Sequence, residues 1–589
     1  MNKVKKIRKS VNLKEAAAYA VALLLFMFIR WINYTPVFIV AVLIAGCVVL
    51  VSLRKSREKP PHRIIRALVV FLPAFLFFSL QWTGRNMIGA DTNIVLSYVF
   101  YPEKPGLSVC LEFALGALLP AAVLAVAGVF LKNILSKVFS GVKLPKFSGG
   151  TLAKFANRLI KKLFRADYTA IYKPMAALLA ISCFAVTFQK FPDVAFAFAE
   201  NPEKSVLFDS EYTDGGSVGI TWNGRKKNVI HIVAESMETS YADSAYGGVF
   251  PKNYIPGLTK LAEENLSVGS LYTDDNLRKL GGAASDMTGA NQTVASLFSQ
   301  MYGVPLIMPS LGVLSESQLR LDLIEGRQLY GLPDALRDAG YNLEFAMGSD
   351  KKFARRGDML EKHGFTVYDY NTAIKDGDIP KDYYVWWGME DSKLFDVSKR
   401  HIARYAESGK PFFYSILTVD THAQDGYVSD VTPPPDSSMG SPLSHELQYL
   451  RVVEGSDKLI YDFVEWVQEQ DFYADTVIVI TGDHHTMSLN YDALLKSRGE
   501  SHGDTYSVFI NSGFGVEAAG REYEQWDLCP TMLHLAGGDI EGGRMGLGTD
   551  LLSPLREKTV TEKYGREYVN TELRKTSGTY NRVVYGAEK

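Results

Sequence analysis

The chain has 589 residues, a net charge of −2 and 47% hydrophobic residues. That length exceeds one ordinary domain, a charge so near zero names no acidic or basic partner, and no nucleic-acid partner is expected. Of the four cysteines, Cys47, Cys110 and Cys183 lie in apolar blocks and only Cys529 comes later, which excludes a disulfide framework or a Cys-based zinc site in the later part.

The average composition hides two unlike parts. Apolar segments at about Ala16–Trp31, Val37–Leu53, Ile65–Trp82, Leu111–Leu131 and Ile171–Phe188 are long enough, or nearly so, to cross a bilayer as helices. Lysines and arginines crowd before the first segment, after the second and between the fourth and fifth, whereas the alternate loops carry few. Basic loops stay in the cytoplasm, so the N-terminus is expected inside and everything after Phe188 outside. Lys154–Phe164 has amphipathic spacing with a basic face, suited to an anionic inner leaflet or simply to setting topology. The division expected is a transmembrane domain over 1–190 with five helices, a linker over 191–226, a catalytic domain over 227–560 and a C-terminal tail over 561–589.

After the linker the pattern becomes α/β. Lys227–Val233 reads as a buried parallel strand ending at Glu235, with a helix opening at Met237 or Glu238. Tyr254–Glu264 reads as a helix and Ser267–Asp274 as a candidate strand. A polar, glycine-containing loop, 281–292, precedes Thr293, which heads a run with apolar or small residues at helical spacing, Val294, Leu297, Phe298 and Met301. Most threonines in that place only cap a helix, yet the positive dipole end also favours an anion and an ionised hydroxyl. Leu332–Ala339 follows as a helix and Tyr341–Met347 as a strand. Beyond it come Arg355 and Arg356, whose forked side chains match phosphate oxygens. Pro411–Thr418 reads as a strand running into Asp420 and His422, and Gln448–Val467 as a helix. Thr476–Ile480 is a continuous β-branched strand that ends in Thr481-Gly-Asp-His-His485. A final helix covers Asp527–Leu535 and a glycine-rich return Gly542–Ser553. This alternation implies a mainly parallel sheet covered on both faces, with ligands at the carboxyl ends of its strands.

Separate strand ends thus offer Glu235 and the pair Asp483 and His484, with Thr293 heading its helix nearby. Hard carboxylate oxygens with imidazole nitrogen suit a divalent ion, and coordination would lower the pKa of the Thr293 hydroxyl. That makes a nucleophile without a Ser-His-Asp triad, while Arg356 and His422 orient a phosphoryl group or protonate a leaving group. Thr288 lies in the same loop and competes with Thr293 for the nucleophile's place, and His485 and His502 are bystanders unless His502 supports a second metal.

Nearly the whole chain resembles the lipoteichoic acid synthase and phosphoglycerol transferase branch of the sulfatase-like alkaline phosphatase superfamily. The resemblance rests on Asn228–Ser236, Thr293-Val-Ala-Ser296 through Gly303-Val-Pro305, Phe353-Ala-Arg-Arg-Gly357 and Trp387-Gly388 with Asp391. It also rests on Leu417-Thr-Val-Asp-Thr-His422, Ile480-Thr-Gly-Asp-His484 and Gly543-Arg-Met-Gly-Leu-Gly548. In these motifs the chain looks closest to periplasmic-glucan phosphoglycerol transferases. The resemblance implies a five-helix transmembrane domain followed by an extracytoplasmic sulfatase-like α/β domain. It implies Glu235, Thr293, Asp483 and His484 at the metal, Thr293 as nucleophile, and Arg356 and His422 on the substrate. The implied metal is manganese first, with zinc or magnesium as alternatives. The implied reaction moves glycerol phosphate from phosphatidylglycerol, at a lipid bilayer, to a glycan or glycerol-phosphate polymer through a phosphothreonine-type intermediate. Phosphoethanolamine transfer and phosphodiester hydrolysis are the competing activities, and a catalytically dead binding module the competing class. Sulfate ester hydrolysis is disfavoured because no Cys/Ser-x-Pro-x-Arg motif lies near Thr293.

Overall fold

Asn228–Ala234 forms strand β1, in which side chains alternate between two hydrophobic cores. Val229 and Val233 join one cluster, and Ile230, Ile232 and Ala234 the other. That is the period of a strand buried on both faces. The other strands are β2 (Asn342–Met347), β3 (Thr366–Tyr368), β4 (Phe412–Leu417), β5 (Thr476–Gly482) and β6 (Ser507–Ile510). They lie in the order β3-β2-β4-β1-β5-β6. All neighbours are parallel except β6, which runs antiparallel to β5 at the edge. Each fully buried Val or Ile of β5 contributes about 1.5–3 kcal/mol, so the central strands are where the fold is strongest.

The first core is closed by α2 (Thr293–Tyr302), α3 (Leu332–Asp338), α4 (Arg356–Lys362) and α8 (Leu528–Leu535), and the second by α1 (Pro256–Glu264), α5 (Asp391–Glu407), α6 (His445–Gln468) and α7 (Leu489–Arg498). Register fixes the functional edge. Val233 pairs with Leu417 and Ala234 with Gly482, so the next residues, Glu235, Thr418 and Asp483, emerge side by side. The glycine is needed there, because a Cβ on Gly482 would sit 1.9 Å from the Met237 carbonyl oxygen.

The computed structural model describes residues 203–586, except 223, 225, 270, 273–277, 308–328, 435–444 and 516–519, together with Leu119. The expected spans, Leu119 apart, and the first part of the linker lie outside these residues. Among the described residues no helix is long and apolar enough to cross a membrane.

Several elements differ from their sequence-based expectation. No α-helix opens at Met237 or Glu238; a single tight turn, Thr239–Tyr241, carries the chain away from the site. Among the described residues of the candidate strand Ser267–Asp274, Leu271–Tyr272 is the strand, paired with Arg278–Lys279. Strands β3 and β6 and helices α5 and α7 have no counterpart in the sequence reading. From 560 onward the chain forms α9 (Val560–Tyr564), α10 (Arg566–Leu573) and α11 (Gly578–Tyr585). Their Val569, Leu573, Tyr580 and Val584 pack in the same core as β1, so residues expected as a tail are part of this domain.

Candidate active site

Glu235 leaves β1 with its amide N–H donating to Thr418 Oγ1 at 2.9 Å and its carbonyl accepting from Thr421 Oγ1 at 2.6 Å. Two neighbouring strand ends are thereby tied together. Ser236 follows in a left-handed conformation, φ 55°, uncommon for a side chain with a Cβ. That bend aims its N–H at Asp483 Oδ1, 2.8 Å away, while its hydroxyl donates to Glu235 Oε1 at 2.8 Å. His484 N–H also donates to Asp483 Oδ1. The His484 ring is set by Nδ1, 2.7 Å from the His485 carbonyl oxygen. A carbonyl only accepts, so Nδ1 carries a proton and Nε2 faces the carboxylates.

Thr293 is the first residue of α2, and Gln292 holds the N-cap without a capping side chain. Its hydroxyl therefore does not cap the helix. Oγ1 lies 3.2 Å from Glu235 Oε2 and 3.2 Å from His484 Nε2. One hydroxyl proton cannot serve both acceptors at once. Thr288 has different surroundings: its N–H donates to Asn570 Oδ1 at 3.0 Å and its Oγ1 accepts from Arg574 Nε at 3.3 Å. The structure gathers Glu235, Thr293, Asp483 and His484, and ties Thr288 to α10 and the residue that follows it.

Glu235, Asp483 and His484 are 3%, 0% and 1% exposed, so their charges are sheltered from water. Burial raises the Asp483 carboxyl, and the Glu235 charge adds to that, taking it up to about 7. Burial acts the same way on Glu235, but the charges of His422 and His484 hold it below its ordinary value. Burial lowers His484, and the charges of Asp483 and Glu235 more than reverse this. Two carboxylates and an imidazole thus face one another with too little positive charge between them. Asp483 Oδ2 is buried and accepts no hydrogen bond. One ligand atom from each of the three residues falls within a 4.8 Å span, and among the described residues no other group does this. Two hard oxygens, an imidazole nitrogen and an adjacent hydroxyl fit a divalent cation.

Arg356 opens α4 beyond β2, is 5% exposed, and donates from Nη2 to Ser349 Oγ at 2.8 Å. Its guanidinium lies over the Phe353 ring, 5.1 Å from the centroid. Phe353 meets Trp387 edge-on at 5.1 Å, and Trp387 lies 4.7 Å from the His422 ring. His422 is half-buried after β4, its Nδ1 is 3.0 Å from the Ala423 carbonyl, and its charge reaches Glu235. Arg356 and His422 are thus joined through two aromatic rings. His485 and His502 stack on each other at 4.3 Å; His502 Nδ1 is 3.0 Å from Glu238 Oε1, and His485 Nδ1 is 3.1 Å from the Ser285 carbonyl.

Three contributors escape the sequence reading. Ser236 and Thr418 act through backbone contacts that only the adjacent strand ends create. Gln525 donates to the carbonyls of Gly482 and Asp483, at 3.0 and 3.1 Å, and accepts from Gln300 of α2 at 2.8 Å. It links the helix bearing Thr293 to the strand end bearing Asp483. The one sequence signal is Gln300 itself, an amide among the apolar and small residues of α2, and it is wholly buried.

Residues 227–538 match the sulfatase family, which is more than half of the chain. Phosphoglycerol transferase I of Xanthomonas campestris pv. campestris (strain B100) is 31% identical over 279 residues, covering 47% of this chain and 36% of that protein. Phosphoglycerol transferase I of Escherichia coli O127:H6 is 26% identical over 336 residues, covering 56% and 39%. The matches thus span little more than a third of these relatives' length. The crystal structure of the lipoteichoic acid synthase LtaP from Listeria monocytogenes aligns with a TM-score of 0.42 at 17% identity, over 59% of this chain and 80% of that one. With the family matched over its α/β part, the chain belongs to the sulfatase family.

Proposed function

We propose that the protein is a membrane-anchored phosphoglycerol transferase that moves glycerol phosphate from phosphatidylglycerol to an extracytoplasmic glycan or glycerol-phosphate polymer. The observation that carries this reading is the Thr293 hydroxyl at the start of α2, 3.2 Å from both Glu235 and His484. The relatives named phosphoglycerol transferase I support the transferred group. The apolar segments before Phe188 and their flanking lysines and arginines support five spans, a cytoplasmic N-terminus and an outward-facing domain, where a lipid donor is within reach.

Glu235, Asp483, His484 and Thr293 would hold the divalent ion, which we take to be manganese, with zinc or magnesium fitting the same donors. When bound, the ion supplies positive charge that favours the Thr293 alkoxide. Thr293 Oγ1 forms a bond to the lipid phosphorus as the bond from phosphorus to the diacylglycerol oxygen breaks. His422 gives its proton to the departing oxygen. Arg356 and the free N–H groups at the start of α2 bind the phosphoryl oxygens as charge builds on them. In the second half an acceptor hydroxyl gives its proton to His422 and attacks phosphorus. The Oγ1–phosphorus bond then breaks and returns Thr293 as the alkoxide that began the cycle, so the one proton His422 gave up is the one it regains.

The test uses the full-length protein with head-group-labelled phosphatidylglycerol or phosphatidylethanolamine, with manganese and an acceptor. Diacylglycerol release from phosphatidylglycerol alone, lost in Thr293→Ala, supports the reading. Release only from phosphatidylethanolamine, or wild-type turnover by Thr293→Ala, overturns it.

A further inference from the structure

Helix α10 lies between two parts of the chain. On one side Asn570 Oδ1 accepts the Thr288 N–H at 3.0 Å, and Arg574 Nε, just past the helix, donates to Thr288 Oγ1 at 3.3 Å. Thr288 stands in the loop that leads to Thr293, so this side of α10 borders the functional edge. Arg566, one turn before Asn570, donates to Asp504 Oδ1 at 2.9 Å. On the other side lies the first described stretch of the chain. Ser205 Oγ and the Val206 N–H donate to Glu572 Oε2 at 2.9 and 3.2 Å. The short helix Leu207–Glu211 then runs back toward α9, where Glu211 accepts from the Tyr564 hydroxyl at 2.7 Å, Lys563 at 3.0 Å and Arg544 at 2.8 Å. The surface spanned by these ties is aromatic and open. Tyr564 and Tyr568 are 43% and 44% exposed, with ring centroids 5.5 Å apart. Val206, 57% exposed, is tied to Glu572, one turn along α10 from Tyr568. Single exposed apolar residues need no explanation, but three of the six large ones among the described residues gather in this one place.

We propose that the face made by Tyr564, Tyr568 and Val206 rests in the headgroup layer of the outer leaflet, and so holds the loop before Thr293 over the lipid donor. This rests on the transferase reading above, in which the donor is a membrane lipid. A phenol has an apolar body and a polar tip, which suits a layer that is oily on one side and wet on the other. Between Arg556 and Arg582 seven basic residues stand against four acidic ones, an excess that draws the face to anionic lipid. Of the two acids in α10, Glu572 is paired with Lys575 at 2.7 Å, which leaves Glu567. The chain also arrives from the bilayer at this face. Residues 189–202, between Phe188 at the end of the fifth expected span and the first described residue, reach at most about 50 Å. Three side chains fall far short of the roughly 800 Å² that each partner buries in a stable protein complex. A surface already tethered to the bilayer needs no more, because the tether keeps the local concentration high.

The experiment places the full-length protein in bilayer discs of phosphatidylglycerol and phosphatidylethanolamine. With the four native cysteines changed to alanine, a nitroxide is attached in Tyr568→Cys or, as a control on exposed α6, in Lys458→Cys. The label at 568 should collide more with lipid-soluble oxygen than with a water-soluble nickel chelate, and the label at 458 the reverse. Tyr568→Asp should lower diacylglycerol release from bilayer phosphatidylglycerol about tenfold, with release from a water-soluble short-chain phosphatidylglycerol within about twofold of wild type, and Tyr568→Trp should keep both. A label at 568 as open to the chelate as the control, spin–spin broadening that reports a second copy on this face, or an equal loss on the two donors overturns the proposal. If the wild type releases diacylglycerol from neither donor, it is the transferase reading that fails. The label at 568 then decides the face by itself: shielding from the chelate supports it, and openness to the chelate overturns it.

Discussion

Thr288 and Thr293 share one loop, yet their hydroxyls have opposite fates. The Thr293 hydroxyl lies 3.2 Å from both buried Glu235 and buried His484, whereas the Thr288 hydroxyl accepts from Arg574 and its N–H donates to Asn570. Local sequence treats the two alike, since either can start a helix or act as a nucleophile. The difference comes from the third dimension. The strand register sets Glu235 beside Asp483, and the Gln525 bridge holds α2 against that edge. The surroundings of the candidate nucleophile are made by the sheet edge, more than by its neighbours in sequence.

The contrast breaks first at Thr293. Thr293→Ala should lower diacylglycerol release by about a thousandfold or more, measured with phosphatidylglycerol vesicles, while the protein still folds. Retained activity would remove the distinction between the two threonines. Next comes the cation. Thermal unfolding of the wild type with manganese should show added stability of about 2.7 kcal/mol at a hundredfold excess over the dissociation constant, and Asp483→Asn should abolish most of it. An equal gain in the variant would mean that the ion binds elsewhere.

Proton linkage sharpens the same contrast. Asp483 is raised from an ordinary 3.8 to about 7 in the folded, metal-free protein. The folded state therefore holds a proton that the unfolded state has lost, so its stabilising effect is complete below about pH 4 and is lost as pH rises through about 7. Metal-free protein should accordingly lose stability across that window, and the gain from manganese should grow across it as protons stop competing. Denaturation curves at fixed pH values check this, and a metal-free stability that rises across the window contradicts it. The smallest effect belongs to Thr288. Thr288→Val removes the acceptor for Arg574 and should cost about 1 kcal/mol in denaturant unfolding, with turnover within about threefold of wild type.

The strands that form this edge are legible in sequence wherever β-branched runs are long. Thr476–Ile480 and Asn228–Val233 announce themselves, and the charged residues just beyond them fall where an α/β sheet exposes ligands. Thr366–Tyr368 and Ser507–Ile510 do not, because three or four residues are too few to show a period. Helix α5 is hidden by its charge, with lysines, arginines and acids filling the solvent face over a narrow apolar stripe. Glu235, Asp483 and His484 are legible in sequence as candidates because metal chemistry restricts residue type, and the structure brings the three together. Ser236, Thr418 and Gln525 could not, since each acts by a hydrogen bond to a group distant in sequence. The resemblance already favours Thr293 over Thr288, and the structure adds that Thr288 is tied to α10 and Arg574 while Thr293 lies beside Glu235 and His484.

The central claim is that Thr293 carries the transferred group. Full-length enzyme mixed with phosphatidylglycerol and manganese, without acceptor, is acid-quenched, digested and read by mass spectrometry. The account predicts a glycerol-phosphate adduct on Thr293 that persists in Thr288→Val and disappears in Thr293→Ala. An adduct on Thr288, or diacylglycerol release by Thr293→Ala at the wild-type rate, would contradict it.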